Sequence, residues 1–238
     1  MIAADVVSSL QDYASGADAV NLQWFFKTGP GEYGEGDQFI GVRVPNIRKV
    51  CKKFRNLPLK EVQQLLESPV HEHRMAGVII LTLQYPKADD KQAIYELYLA
   101  ELGNGHINNW DLVDVSCRHI VGEHLRENRS KLYELAKSES LWERRASIIS
   151  TFAYIAKGDA STSLALAELL LGDKHDLMHK AVGWTLREVG KRCDEQLLRT
   201  FLSRHAPTMP RTTLRYAIEH LPEDERKGYL NMKQVKED

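Results

Sequence analysis

Apolar side chains recur every three to four residues along almost the whole chain, which is the spacing of a helix with one buried face. Strand-like alternation is nearly absent, and short polar or Pro/Gly segments separate the apolar ones. The pattern therefore predicts an all-α protein. The predicted helices cover residues 3–14, 19–27, 45–54, 59–67, 72–85, 89–102, 108–125, 129–138, 141–157, 161–171, 176–192, 194–205, 209–220 and 222–230.

The helical segments also repeat. Ala76, Ala146 and Ala181 lie in three similar segments and are separated by 70 and 35 residues, which indicates a unit of about 35 residues. Two helices in each unit predict an α-solenoid of HEAT-like helical repeats, an α-α superhelix forming one domain over residues 1–238. Small residues such as Gly183 are expected where neighbouring helices approach closely. An irregular helical bundle is the alternative.

The charge of the chain is nearly balanced, with 32 basic and 33 acidic side chains, so the total gives no indication of nucleic acid. The three cysteines lie far apart, which is typical of a reduced intracellular protein and not of a zinc site or a disulfide framework. The N-terminus does not resemble a secretory leader, and no run approaches the roughly 20 apolar residues of a membrane span. We therefore predict a cytoplasmic protein.

Basic residues precede the small residues of the repeats. Because equivalent positions of a solenoid line up along one surface, these cations would form a stripe on the concave face that suits a phosphate backbone. Salt bridges between repeats and solvated faces are the alternative. The positions are Arg74, Arg144, Arg145, His179, Lys180 and Arg215.

One short segment combines an aromatic ring with two carboxylates. Asn108 and Asn109 can cap a helix start, and Trp110, Asp111 and Asp114 follow directly. Their spacing puts the two carboxylates on one face of a helix, with Trp110 one turn from Asp114. A carboxylate beside an aromatic wall favours a cation. The alternative is an acidic pair that interacts with the helix dipole.

Two other patterns predict no site. Residues 29–34 match G-x-G-x-x-G, but they follow a helical segment where a dinucleotide site needs a strand, and a loop is the better interpretation. His71 and His73, and likewise His119 and His124, have no third ligand at a recognisable spacing. Neither a metal site nor a cofactor is predicted.

Four motifs are more specific than these patterns. They are FFKTGPGEYG (25–34) leading into FIGVRVP (39–45), NWDLVD (109–114), LWERRA (141–146) and KAVGWTLRE (180–188). In this order they resemble the bacterial DNA alkylation repair glycosylases of HEAT-like fold, the AlkC and AlkD group, and most closely the AlkD-like members. The resemblance covers essentially the whole chain. It implies a monofunctional glycosylase of base excision repair that removes cationic N3- and N7-alkylpurines, such as 3-methyladenine and 7-methylguanine, from duplex DNA.

The resemblance also implies roles for individual residues. Asp114 would be the catalytic carboxylate, Trp110 and Trp184 would contact the sugar at the lesion, and one chain acting on one duplex needs only a monomer. Arg145 would contact the DNA backbone nearby. Further DNA contacts are expected from Arg144, Lys180, Arg187, Arg43 and Arg74, and the lesion cleft is expected to include Trp24, Phe25 and Asp111.

The chemistry of the lesion agrees with a carboxylate at position 114. An alkylated purine is already cationic and leaves readily, while the deoxyribose becomes oxocarbenium-like and is stabilised by a nearby negative charge. No lysine is evidently placed near Asp114 to form a lyase Schiff base. Two other functions remain open: a non-catalytic HEAT-like protein that binds damaged or branched DNA, and a protein-binding scaffold.

Overall fold

The computed structural model describes residues 1–232, and every regular element in that range is helical. The prediction of an all-α protein is confirmed. We number the α-helices in chain order: α1 (Ala3–Gln11), α2 (Gly16–Phe25), α3 (Val44–Lys53), α4 (Leu59–Leu66), α5 (His71–Gln84), α6 (Lys91–Gly103), α7 (Trp110–Cys117), α8 (Ser130–Leu135), α9 (Leu141–Ser150), α10 (Phe152–Ile155), α11 (Ser161–Leu169), α12 (Asp176–Arg192), α13 (Glu195–His205), α14 (Arg211–Ala217) and α15 (Glu223–Asn231).

Most predicted helices begin or end within a few residues of the observed ones, and two are interrupted. The helix predicted over residues 108–125 begins at Trp110, becomes π-helical over Arg118–Gly122 and ends soon afterwards. The helix predicted over residues 141–157 is divided into α9 and α10 at Thr151, whose hydroxyl donates to the carbonyl of Ile148 at 2.7 Å. A hydroxyl bonded to its own helix backbone commonly bends a helix.

The described chain forms two compact units, Met1–His124 and a second that begins at Leu125. In the first unit, α5 is central and packs against α3, α4 and α7. Its middle is buried on all sides, with Met75, Ala76 and Val78 at most 2% exposed. A helix that is apolar all round is a core helix, so α5 gives the other helices of this unit their positions.

In the second unit, α12 is the central helix and packs against α9, α13 and α14. Gly183 allows α12 and α14 to approach each other closely, because a Cβ atom at position 183 would lie 2.5 Å from the carbonyl oxygen of Thr213 on α14. The prediction that Gly183 lies where helices approach closely is therefore confirmed.

Candidate functional site

Three helices of the first unit begin at one cavity of about 480 Å³. The first turns of α3, α5 and α7 all line it, and each helix N-terminus carries a partial positive charge. α7 starts where the sequence predicted, since Asn109 is its N-cap and the Asn109 side chain accepts the N–H of Trp110 at 2.8 Å. Trp110, Asp111 and Asp114, in the first turns of α7, therefore line the same cavity.

The wall of the cavity is mainly aromatic and aliphatic. The ring of Trp110 stacks on Phe26, with centroids 5.4 Å apart, and meets the edge of Phe25 at 6.1 Å. Phe26 also stacks on Phe39 at 5.2 Å. Phe26 is buried, whereas Phe25 is 54% exposed and lies at the opening. Ring pairs with these separations hold each other in place, so Trp110 has a fixed orientation.

Asp111 and Asp114 both line the cavity, as their spacing on one helix face predicted. Both side chains are half-buried. One oxygen of Asp111 accepts the N–H of Leu112 at 2.8 Å, and the other lies 2.9 Å from Nε2 of His71. Asp111 is thereby bonded, through His71, to the neighbouring helix α5.

His71 is the centre of a buried charge network that the sequence analysis did not predict. It is 2% exposed, with Nδ1 3.1 Å from Asp37 and Nε2 2.9 Å from Asp111. A ring can donate from both nitrogens only as the imidazolium. Burial alone lowers the pKa of His71, but the charge of Asp111 and hydrogen bonds to both carboxylates outweigh burial and raise that pKa to about 9. His71 is therefore a buried cation at neutral pH.

Asp37 completes the network on the far side of His71. It accepts Nη2 of Arg74 at 2.6 Å and the side-chain amide of Asn109 at 3.3 Å. Burial raises the pKa of Asp37, but the hydrogen bond from His71 and the charge of Arg74 more than offset burial, so the net direction is downward. Asp37, His71 and Asp111 thus tie the segment before α3, the start of α5 and the start of α7 together.

Glu72 holds the loop that supplies another part of the wall. Its carboxylate is buried and accepts the backbone N–H groups of Gly41 at 2.8 Å and Val42 at 3.1 Å, as well as that of Ile40. Gly41 has a φ of +81°, and a Cβ atom there would lie 2.0 Å from the carbonyl oxygen of Ser15. Only glycine fits this turn, and the turn brings Phe39 to the cavity.

The cations predicted to contact DNA in the first unit are engaged within the protein. Arg74 is 4% exposed and donates to Asp37, to the carbonyl of Ser68 and to Asn108. Arg43 lines the cavity but is paired with Asp18, with Nη2 2.5 Å from Oδ1. Both side chains form salt bridges, which the sequence analysis gave as the alternative to a contact with DNA. Their contact with a phosphate stays a prediction.

The four other side chains predicted to contact DNA lie in the second unit and are also engaged within the protein: Arg144, Arg145, Lys180 and Arg187. Arg144 pairs with Asp173 at 2.7 Å and donates to two backbone carbonyls. Arg187 pairs with Glu219 and Glu188. Lys180 pairs with Asp176 at 2.7 Å. Arg145 is 4% exposed and donates to the carbonyl of Leu177 at 2.6 Å.

The two other tryptophans predicted at the site, Trp24 and Trp184, belong to different units. Trp184 is a half-buried residue of α12 whose ring meets the edge of Phe152 at 4.6 Å. Trp24, expected at the lesion cleft, is 83% exposed and does not line the cavity of the first unit. Phe26, two residues later, occupies the inner wall instead.

A family model described as DNA alkylation repair enzyme matches residues 6–221, which is most of the chain. The chain belongs to the DNA alkylation repair enzyme family. Family membership makes it a DNA repair enzyme that acts on DNA, and the cavity at Trp110, Asp111 and Asp114 lies within the matched residues.

The fold of this DNA alkylation repair family member is similar to that of a solved structure. That structure is described as "Predicted DNA alkylation repair enzyme from Enterococcus faecalis", and it superimposes with a TM-score of 0.68 at 14% sequence identity. The match covers 88% of this chain and 97% of the other. No curated protein matches the chain. At this identity the solved structure supports the fold alone.

Within residues 1–232 of this repair enzyme, no helix is long and apolar enough to cross a membrane. In the same residues, no group of three or more His, Cys, Asp or Glu side chains could hold a metal ion.

Proposed function

We propose that this DNA alkylation repair enzyme is a monofunctional, AlkD-like DNA glycosylase. Its substrates would be cationic N3- and N7-alkylpurines, such as 3-methyladenine and 7-methylguanine, in duplex DNA. The observation that carries the proposal is that Trp110, Asp111 and Asp114 line one cavity whose wall is otherwise mainly apolar. We also propose that the helices form HEAT-like repeats and that the enzyme acts as a cytoplasmic monomer.

The reaction needs a negative charge beside the sugar. The C1′–N bond breaks, its electron pair neutralises the cationic base, and positive charge develops on the deoxyribose. Water then adds to C1′ and loses a proton to a carboxylate or to solvent. Of the two carboxylates of α7 that line the cavity, Asp114 is the one at the catalytic position of the family motif, so we assign Asp114 to the developing cation.

The electrostatic effect is large enough to matter. Two opposite unit charges about 4 Å apart at an effective dielectric constant near 20 attract each other by about 4 kcal/mol. Since about 1.4 kcal/mol is a factor of ten in rate, Asp114 would supply on the order of 10² to 10³. Trp110 would present an aromatic face to the sugar. Trp184 is proposed as a second sugar contact because of its motif.

Excision from methylated duplex DNA tests the proposal. Release of 7-methylguanine and 3-methyladenine is measured for the wild type, Asp114→Asn and the control Asp89→Asn, which changes an exposed carboxylate. We expect Asp114→Asn to lose release by on the order of 10² to 10³ while it keeps DNA affinity at the same salt concentration, and the control to behave as the wild type. A wild type that binds duplex DNA and releases neither base would refute the glycosylase and leave a non-catalytic DNA-binding protein.

A further inference from the structure

One segment of the first unit has a charge composition unlike the rest of the chain. Between residues 38 and 60 there are seven Lys or Arg side chains and no Asp or Glu, although the whole protein has a net charge of −1. This segment contains α3 and the turn after it. A local excess of positive charge in a neutral protein is the electrostatic footprint of a polyanion site.

The positive charge lies on the outer face of α3. Ile47, Val50 and Cys51 are at most 1% exposed and fix the inner face. Arg48 and Lys52 are exposed, as is Arg55 in the turn after the helix. Arg48 and Lys52 are four residues apart and share one face of the helix, and Arg55 follows three residues later in the turn. We call Arg48, Lys52 and Arg55 the α3 stripe.

The α3 stripe differs from the cations that sequence analysis had selected. Arg74, Arg144 and Arg187 each form an ion pair with a carboxylate. Within residues 1–232, no member of the α3 stripe forms one. A cation that has no carboxylate partner can bind a phosphate without first breaking an ion pair.

The spacing of the cations on α3 also destabilises the helix. Arg48 and Lys52 are four residues apart, and so are Lys49 and Lys53. Like charges at this spacing destabilise a helix, and no acidic residue of the segment offsets them. A bound polyanion would remove that repulsion.

The α3 stripe runs between two concave surfaces of the first unit. At its N-terminal end, α3 contributes Val44 and Ile47 to the aromatic cavity. At the other end, Lys52 and Arg55 line a groove of about 910 Å³ together with Lys87. The ten residues of α3, from Val44 to Lys53, rise by about 15 Å. That length corresponds to about four phosphates of one strand at roughly 3.4 Å each.

We infer that the α3 stripe, together with Lys87, binds the phosphate backbone of the DNA on one side of the aromatic cavity. The inference rests on the proposed function, because the polyanion is taken to be the duplex whose lesion lies at Trp110 and Asp114. Each cation that neutralises a phosphate releases a condensed counterion, so the stripe contributes to affinity without reading sequence.

Salt-dependent binding tests the inference. The triple variant Arg48→Gln/Lys52→Gln/Arg55→Gln is compared with the wild type on an undamaged fluorescent duplex from 50 to 200 mM salt. Each phosphate contact contributes about −0.9 to the slope of log K against log salt concentration. Loss of three contacts should therefore make the slope shallower by about 2.7. The control Lys137→Gln/Lys157→Gln/Lys227→Gln has the same change in net charge on exposed side chains of the other unit and should keep the wild-type slope.

Three results would overturn the α3 inference. A triple variant with the wild-type slope overturns the α3 inference, and so does a control whose slope falls as far, since net charge alone would then explain the effect. The variant Arg48→Lys/Arg55→Lys keeps the charge and should keep the slope; a slope that falls in this variant as well would also overturn the inference, because loss of charge would then not be the cause. Base release by the wild type is measured separately. If release fails while the α3 effect holds, the glycosylase is wrong and the α3 inference stands.

Discussion

Replacing His71 by glutamine should remove a pH-dependent part of the stability of the first unit. His71 is a buried imidazolium between Asp37 and Asp111, with a pKa raised from 6.5 to about 9. A difference of about 2.5 in pKa, at about 1.4 kcal/mol per unit, corresponds to about 3 kcal/mol of unfolding free energy. Removing one partner of a buried ion pair costs about 3–5 kcal/mol in other proteins, so the two magnitudes agree.

The sign of the pH dependence follows from the raised pKa. The folded protein holds the His71 proton more tightly than the unfolded chain does. The contribution is therefore fully present below the unfolded pKa of about 6.5 and is lost as the pH rises through about 9. We expect His71→Gln to be less stable than the wild type by about 3 kcal/mol at pH 6, with a smaller difference at pH 9.5.

Urea unfolding at a series of pH values measures this difference. The matched control is His124→Gln in the same unit. Burial lowers the pKa of His124, so its ionisation affects stability at lower pH and not between pH 6.5 and 9. Parallel stability curves for the wild type and His71→Gln over that interval would refute a charged His71.

Three further predictions concern the supports of the fold. Glu72→Gln should lower the unfolding free energy by about 2 kcal/mol in urea, because three N–H groups of the loop before α3 lose a buried carboxylate as their acceptor; an unchanged value would contradict this. Gly183→Ala should lower it by about 2 kcal/mol or more, because its Cβ would meet a carbonyl oxygen of α14 at 2.5 Å, whereas the control Gly172→Ala has nothing within 4 Å. Burial raises the pKa of Cys51 to about 12, so this thiol should resist alkylation by iodoacetamide at pH 8 until urea unfolds the protein. Labelling of native Cys51 at the unfolded rate would show that its environment is open.

The sequence predicted the helices well because their signal is local. Apolar residues at helical spacing need only one buried face, and Asn109 marks the start of α7 within its own segment. The interruption at Thr151 was not predicted, because a serine or threonine within a helical pattern can equally point to solvent. The 35-residue period is compatible with the helical structure, and the solenoid it indicates remains a proposal.

The candidate site was predicted only where its residues are close in sequence. Trp110, Asp111 and Asp114 lie within little more than one turn of α7, so spacing alone put them together. His71 lies 34 residues from Asp37 and 40 from Asp111, and no local pattern joins residues so far apart. His71 therefore looked like part of an incomplete metal site.

Charges were the hardest feature to interpret, because a sequence gives the sign of a side chain and not its partner. Arg74 and Arg144 occupy repeating positions, yet both are satisfied by carboxylates that lie far away in sequence. A better signal was available in the same sequence, since residues 38–60 contain no acidic residue with which their cations could pair locally.

The buried network and the aromatic cavity are parts of one arrangement. Catalysis by a fixed charge requires that the charge cannot move away as the transition state forms. Asp111 is bonded to His71, and His71 is bonded to Asp37, so the first turn of α7 cannot shift without breaking a buried ion pair. Asp114 lies one turn further along the same helix. The proposed catalytic carboxylate therefore lies on a helix whose first turn is held in position by a buried ion pair.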